Sequence, residues 1–267
     1  MPENPSVTRR IVDTRLGQVH VRSKQGVGRP LVMLHMTPRS SRMFDAAQRM
    51  LKRPVHAPDR PGYGFSDPPS KEVPTLADYA ASVLDTVDAL GLEDEFDVLG
   101  MHTGSLEAIE LAHLAPRRVG RCAVVALPLF TAIERREMSK IFTAMRVRPT
   151  EDGSHLIDAW QARLQFREPP FDLADVQRRL VDYLLAPWPG QAYAAVFSYD
   201  AEARVRSLPV PLTVFSPDDD IAAVTRRSRP QVPAGTAWVE LPGFGVDLFT
   251  FRARQMQQYI DRYLPAG

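Results

Sequence analysis

Among the residues able to do chemistry, His102 stands in the most informative place. It is the centre of Gly100-Met101-His102-Thr103-Gly104, where the apolar run Phe96-Asp97-Val98-Leu99 gives way to a helix-like stretch. Where a strand turns sharply into a helix in this way, the middle residue is thrust outward, and glycines flank it because side chains there would collide. An imidazole presented so can take up or release a proton near neutral pH. The other reactive side chains read as structural. Cys122 is the only cysteine and opens the run Cys122-Ala123-Val124-Val125-Ala126-Leu127, the setting of a buried thiol. Ser105 should cap or pack the helix after the turn, and Ser40 and Ser41 read as N-caps before Arg42-Met43-Phe44. His20, His56, His113 and His155 have no metal-ligand spacing, so no metal is expected. No glycine-rich phosphate loop or dinucleotide fingerprint follows any strand-like run, so no cofactor is expected either.

A turn of this kind needs a sheet beneath it. Ile11–Thr14 and Val19–Arg22 flank Leu16-Gly17-Gln18 and predict an antiparallel pair. Strand-like runs at 30–34, 54–58, 96–100 and 121–127 then alternate with helix-like stretches at 43–51, 76–92 and 104–114. Continuous apolar strands separated by amphipathic helices predict a mostly parallel sheet covered on both faces. From about 130 to 206 strand signals stop. Helical stretches such as 156–164 are punctuated by Glu168-Pro169-Pro170 and Pro187-Trp188-Pro189-Gly190, which predicts a helical insertion. Strand-like runs return at 210–215 and 237–241, before a closing helix over 248–264. The expected division is a core of 1–128 with 207–267, and a helical cap of 129–206.

Composition narrows the partners. The 267 residues are 44% hydrophobic, enough for one core with an insertion. Thirty-three basic against 32 acidic residues give a net charge of +1, without the basic footprint of a nucleic-acid binder. No apolar run is long enough to span a bilayer, and Met1-Pro2-Glu3-Asn4-Pro5 lacks the pattern of a signal peptide. A single cysteine fits a reducing compartment, so the expected location is cytoplasmic. Oligomeric state is left open.

Over nearly its whole length the chain resembles the α/β-hydrolase superfamily, whose elbow motif is G-x-S-x-G. Leu34-His35-Met36-Thr37-Pro38-Arg39-Ser40-Ser41 is similar to the loop after the third strand, usually H-G-x-P-G-S. Asp59-Arg60-Pro61-Gly62-Tyr63-Gly64-Phe65-Ser66-Asp67 resembles D-x-x-G-x-G-x-S-D. Ser216-Pro217-Asp218-Asp219-Asp220 lies where the superfamily carries its catalytic acid. The resemblance implies an α/β-hydrolase fold with a helical cap; it implies little about the reaction, since many chemistries share this scaffold.

The departures bear on mechanism. The register with G-x-x-D makes Asp219 the acid, with Asp218 and Asp220 as one-residue slips. The register of Leu241-Pro242-Gly243-Phe244-Gly245-Val246 on P-G-x-G-H puts Val246 where the catalytic histidine belongs, and no histidine follows His155. Nucleophile and base of a Ser-His-Asp triad are thus both replaced. An imidazole reaches farther than a serine hydroxyl, so His102 can bridge to Asp219 as a dyad, or else pack as a satisfied polar group in a dead site. The resemblance assigns the oxyanion donors to the backbone N–H groups of Thr103 and Met36. Arg39, beside the pocket mouth, can pair with a substrate carboxylate or extend into solvent. His35 is a substrate-side candidate that in relatives orients the oxyanion loop, and Arg60 reads as a structural tie. Trp160, Phe166, Phe171, Tyr183, Trp188, Tyr193, Phe197 and Tyr199 would make the cap aromatic; Trp160 and Trp188 are candidates to face the pocket and favour a small, largely apolar ligand.

Three functions follow. The first is a hydrolase-superfamily enzyme acting on a small organic substrate by His102–Asp219 general-base, oxyanion-hole chemistry: hydrolysis, carbon–carbon cleavage or elimination. The second is a non-catalytic small-molecule binding protein or receptor on a degenerate hydrolase scaffold. The third is an esterase with a rewired serine.

Overall fold

A computed structural model describes residues 6–165 and 172–267. Eight strands form one sheet in the order β1-β2-β4-β3-β5-β6-β7-β8. β1 (Thr8–Thr14) and β2 (Gly17–Lys24) pair antiparallel, and β2 is antiparallel to β4 (Val55–Pro58). All further pairings are parallel, through β3 (Leu31–Leu34), β5 (Phe96–Met101), β6 (Val119–Val125), β7 (Leu212–Pro217) and β8 (Ala237–Leu241). The mostly parallel sheet is the one the alternation of apolar runs predicted, and the whole is the α/β-hydrolase fold that the resemblance implied.

Strand residues alternate between two cores with period two. Val32, Leu34, Val98, Cys122, Val124 and Val214 join the core under α2 (Leu76–Ala89) and α3 (Thr103–Leu114). Their neighbours Leu31, Met33, Leu99, Met101, Ala123 and Phe215 join the opposite core, under α1 (Asp45–Met50), α10 (Leu248–Phe251) and α11 (Ala253–Tyr263). Apolar burial on both faces, at about 25 cal/mol per Å², is why these strands read as unbroken hydrophobic runs.

Between β6 and β7, five helices run among the described residues: α4 (Ala132–Phe142), α5 (Ser154–Leu164), α6 (Leu173–Leu185), α7 (Gln191–Ser198) and α8 (Ala201–Arg206). Polar tethers hold them to the sheet. The Tyr63 hydroxyl donates to Pro189 O (3.1 Å) and accepts from Ala192 N (2.9 Å). The Tyr193 hydroxyl donates to Thr37 O (3.0 Å). Phe166, Phe171 and the Glu168-Pro169-Pro170 break lie outside the described residues.

Local differences from the sequence reading have physical causes. The helix expected over 43–51 begins as a 3-10 turn at Ser41–Phe44 and becomes α-helical only in α1. Ser40 does not cap it, because its hydroxyl donates to Asp182 Oδ1 (2.7 Å). The closing helix is broken at Arg252, whose φ of −118° is not helical. A short helix after the acid, α9 (Ala222–Arg227), was not foreseen. Among the described residues no helix is long and apolar enough to cross a membrane.

Candidate active site

His102 is the pivot between β5 and α3, with φ 50° and ψ −114°. Positive φ is strained for a residue with a side chain and persists only where the surroundings enforce it. Here they do. His102 N donates to Val125 O (3.0 Å), and Ser105 N donates to His102 O (2.9 Å). The Ser105 hydroxyl bonds Gly100 O and Val125 O, each at 3.0 Å, so this serine locks the turn and has no freedom to attack anything. Both glycines are sterically required. A Cβ on Gly100 would lie 1.9 Å from Gly104 O, and one on Gly104 would lie 2.2 Å from Leu34 O. That close approach sets the start of α3 against the end of β3.

The imidazole Nε2 lies 2.9 Å from Asp219 Oδ2, just beyond β7. The Asp219 side chain is buried, and its other oxygen accepts from Ile221 N (3.1 Å), which aims the carboxylate. Of the two alternative registers, Asp218 turns away to Arg226 and Gly243 N. Asp220 stays nearby, 3.7 Å from Nε2, but is 59% exposed. Burial pushes the imidazole pKa down; the hydrogen bond and charge of Asp219, with the charge of Asp220, outweigh that and raise it above the ordinary value. The ring is turned around relative to the Ser-His-Asp arrangement, in which Nδ1 meets the acid and Nε2 the nucleophile. Here Nε2–H donates to the acid, so the lone pair of the neutral ring is on Nδ1, which has no hydrogen-bond partner among the described residues.

Met36 lines the adjacent cavity, and Thr103 opens α3, where the first N–H groups have no intrahelical acceptor. Neither N–H meets an acceptor among the described residues. The loop bearing Met36 is fastened from behind. His35 Nδ1–H donates to Met36 O (2.9 Å), and His35 Nε2 accepts from Arg60 N (2.8 Å). Burial, reinforced by the Arg60 charge, pushes the His35 pKa down to about 3 and keeps the ring neutral in that tautomer. The Arg60 guanidinium bonds Glu107, Thr37 Oγ1 and His35 O. Asp59 accepts from Ser41 N (2.6 Å) and Phe65 N (3.0 Å), while a Cβ on Gly64 would come within 2.2 Å of its carboxylate. The Asp59–Asp67 motif is thus a brace for the Met36 loop. His35 belongs to that brace and does not line the cavity, which corrects the expectation that it faces a substrate.

The cavity, of about 840 Å³, lies between this loop and the helices above it. Asp220, Val246 and Met36 form its wall beside the elbow; Phe142, Met145, Val147, Ala159, Ala162 and Leu184 supply apolar wall from the cap side. Neither Trp160 nor Trp188 lines it. On α5 the cavity face is His155, Asp158, Ala159 and Ala162, the i, i+3, i+4, i+7 stripe, and Trp160 falls off that stripe. Trp188 instead donates Nε1–H to Thr143 O (2.9 Å) and carries the Arg146 guanidinium 3.3 Å above its ring. Arg39 is on the wall but neither solvated nor available. It is buried and bonds Asp182 (3.2 Å) and Asp247 (3.0 Å), tying α6 to the core. Sequence reasoning missed Asp182, Asp247 and Glu107. Only Glu107 left a signal, as a carboxylate inside the otherwise buried α3. His102, Asp219 and Asp220 also bring a ring nitrogen and two carboxylate oxygens within 4.8 Å of one another, donor types that a divalent cation takes.

Several solved structures share this architecture. The enol-lactonase from Burkholderia xenovorans LB400 superposes with a TM-score of 0.76 at 17% identity, covering 96% of this chain and 99% of its own. A thermophilic esterase from Thermogutta terrifontis gives 0.74 at 19% identity, covering 96% and 98%. The carboxylesterase CesB (YbfK) from Bacillus subtilis gives 0.75 at 20% identity, covering 98% and 93%. Sequence comparison with curated proteins finds no match. Residues 31–255 match the family model described as the alpha/beta hydrolase family. That match spans most of the chain, and the chain belongs to the alpha/beta hydrolase family.

Proposed function

We propose that this protein is an enzyme that acts on a small, largely apolar organic molecule by general-base chemistry, without a serine nucleophile. The observation that carries this reading is the 2.9 Å bond between His102 Nε2 and the buried Asp219, made from a strained elbow. A histidine drifting in a dead site gains nothing from that strain.

In this reading the neutral His102 uses its Nδ1 lone pair to take a proton from a bound water or from the substrate. Asp219 accepts the Nε2–H bond throughout and stabilises the imidazolium that forms. The backbone N–H groups of Met36 and Thr103 receive the developing oxyanion or enolate. Helices within 129–206 cap the cavity and exclude water. Water-mediated hydrolysis, carbon–carbon cleavage and elimination all share this first proton transfer.

The test is turnover of a panel of lactones, activated esters and enolisable ketones by the wild type and by His102→Gln. The expected result is activity on one class that falls roughly 100- to 10,000-fold in the variant. Unchanged rates in His102→Gln would remove His102 from the chemistry. A protein that binds panel members tightly, turns none over and binds them equally well as His102→Gln is a receptor.

A further inference from the structure

The capped cavity is apolar in area but basic in charge. Five arginines line it, Arg39, Arg146, Arg148, Arg163 and Arg179, against two carboxylates, Asp158 and Asp220. Asp220 stands beside His102 and belongs to the reacting end. Arg39 and Arg179 are neutralised within the wall by Asp182, Asp175 and Asp247. Arg146, Arg148 and Arg163 make no ion pair among the described residues.

Arg163 is the informative member of that trio. It is half-buried on α5, with its guanidinium carbon over the Tyr183 ring, 3.8 Å from the centroid. Of its five N–H donors, one bonds an acceptor among the described residues, Ala159 O at 2.7 Å in its own helix. The ring contact restrains a guanidinium that lines the cavity, a setting that favours charge-assisted capture of a planar anion. Burial and the nearby charges of Arg179 and Arg39 work against the charged form of Arg163, so an anion docking there would relieve an unfavourable charge already in place.

We propose that the natural ligand carries a carboxylate that docks on the Arg163 guanidinium, with its apolar body along Phe142, Val147 and Leu184. The proposal rests on reading the cavity as a small-molecule site, and not on His102 acting as the base. Arg163, a planar fork without a carboxylate partner among the described residues and half-buried beside apolar wall, matches the carboxylate of a ligand with a hydrophobic body.

Calorimetric titration with 4-phenylbutanoate and its primary amide, 4-phenylbutanamide, isolates the charge at constant shape. At about pH 8.5 the acid is ionised. A charge-assisted pair predicts roughly ten- to hundredfold tighter binding of the carboxylate by the wild type. Arg163→Gln should bring acid and amide near parity, Arg163→Lys should keep part of the preference, and His102→Gln should keep all of it. Parity in the wild type, or no binding of either compound, overturns the proposal without needing any variant. A preference that survives Arg163→Gln, or that vanishes in His102→Gln, moves the anion elsewhere and overturns it as well. Failure of His102 as the base leaves all these ratios unchanged, so the two readings fail separately.

Discussion

His102 meets Asp219 through Nε2, 2.9 Å from Oδ2, and so keeps Nδ1, the nitrogen nearer its own backbone, for whatever occupies the cavity. A triad histidine reaches its acid from a separate loop after the last strand. Here the imidazole rides on the elbow itself, and the aliphatic Val246 sits on the cavity wall.

The orientation fixes a pH dependence. The His102 pKa lies above the ordinary 6.5 because Asp219 and Asp220 outweigh burial. The protonated ring is therefore favoured by the fold: its stabilising contribution is complete below about 6.5 and fades as pH rises through the folded pKa. Catalysis runs the other way, since only the neutral ring is a base, and the rate should climb across that window. NMR titration of the six histidines, with His102 identified by its loss in His102→Gln, should find it above about 6.5 and lower in Asp219→Asn. A value below about 6.5 that Asp219→Asn leaves unmoved would end the general-base reading.

Serine-directed probes should fail. Ser105 Oγ is committed to Gly100 O and Val125 O, and Ser40 Oγ to Asp182. Neither has a histidine to take its proton. After prolonged exposure to a fluorophosphonate, intact-mass measurement should show unmodified protein; a stoichiometric adduct on either serine would favour the rewired esterase.

Installing the serine and histidine of the family's triad should produce some ester hydrolysis. Val246 and Asp220 share the cavity wall, and the elbow backbone is already strained into place. His102→Ser combined with Val246→His therefore has its acid and its N–H donors available. Misplacement by about an ångström costs on the order of 100-fold, so weak turnover of an activated ester is the expected outcome. A folded double variant that stays inactive, with Asp219 facing away in its crystal structure, would discard Asp219 as the acid.

Exhaustive chelation should leave activity intact. The His102, Asp219 and Asp220 donors lie within 4.8 Å of one another, but a cation there would displace the Nε2–H that Asp219 accepts. Activity lost to a chelator and recovered with a divalent cation would replace the proton-transfer mechanism with a metal centre.

Much of this protein is local and therefore legible in its sequence. Period-two burial on both faces of a parallel sheet writes strands as apolar runs, and the two glycines around His102 record a turn with no room for Cβ atoms. The missing histidine after His155 is decided by composition alone. Tertiary structure decided what depends on residues far apart in the chain. Which of Asp218, Asp219 and Asp220 meets His102 turns on where the loop after β7 folds back, 117 residues from the elbow. Arg39 reads as a free cation until Asp182 and Asp247 arrive from α6 and the loop before α10 to neutralise it. Trp160 reads as a pocket aromatic until the phase of α5 turns Ala159, Ala162 and Arg163 inward instead. Charge pairing and helix phase are fixed by packing across the fold, and linear spacing does not encode them.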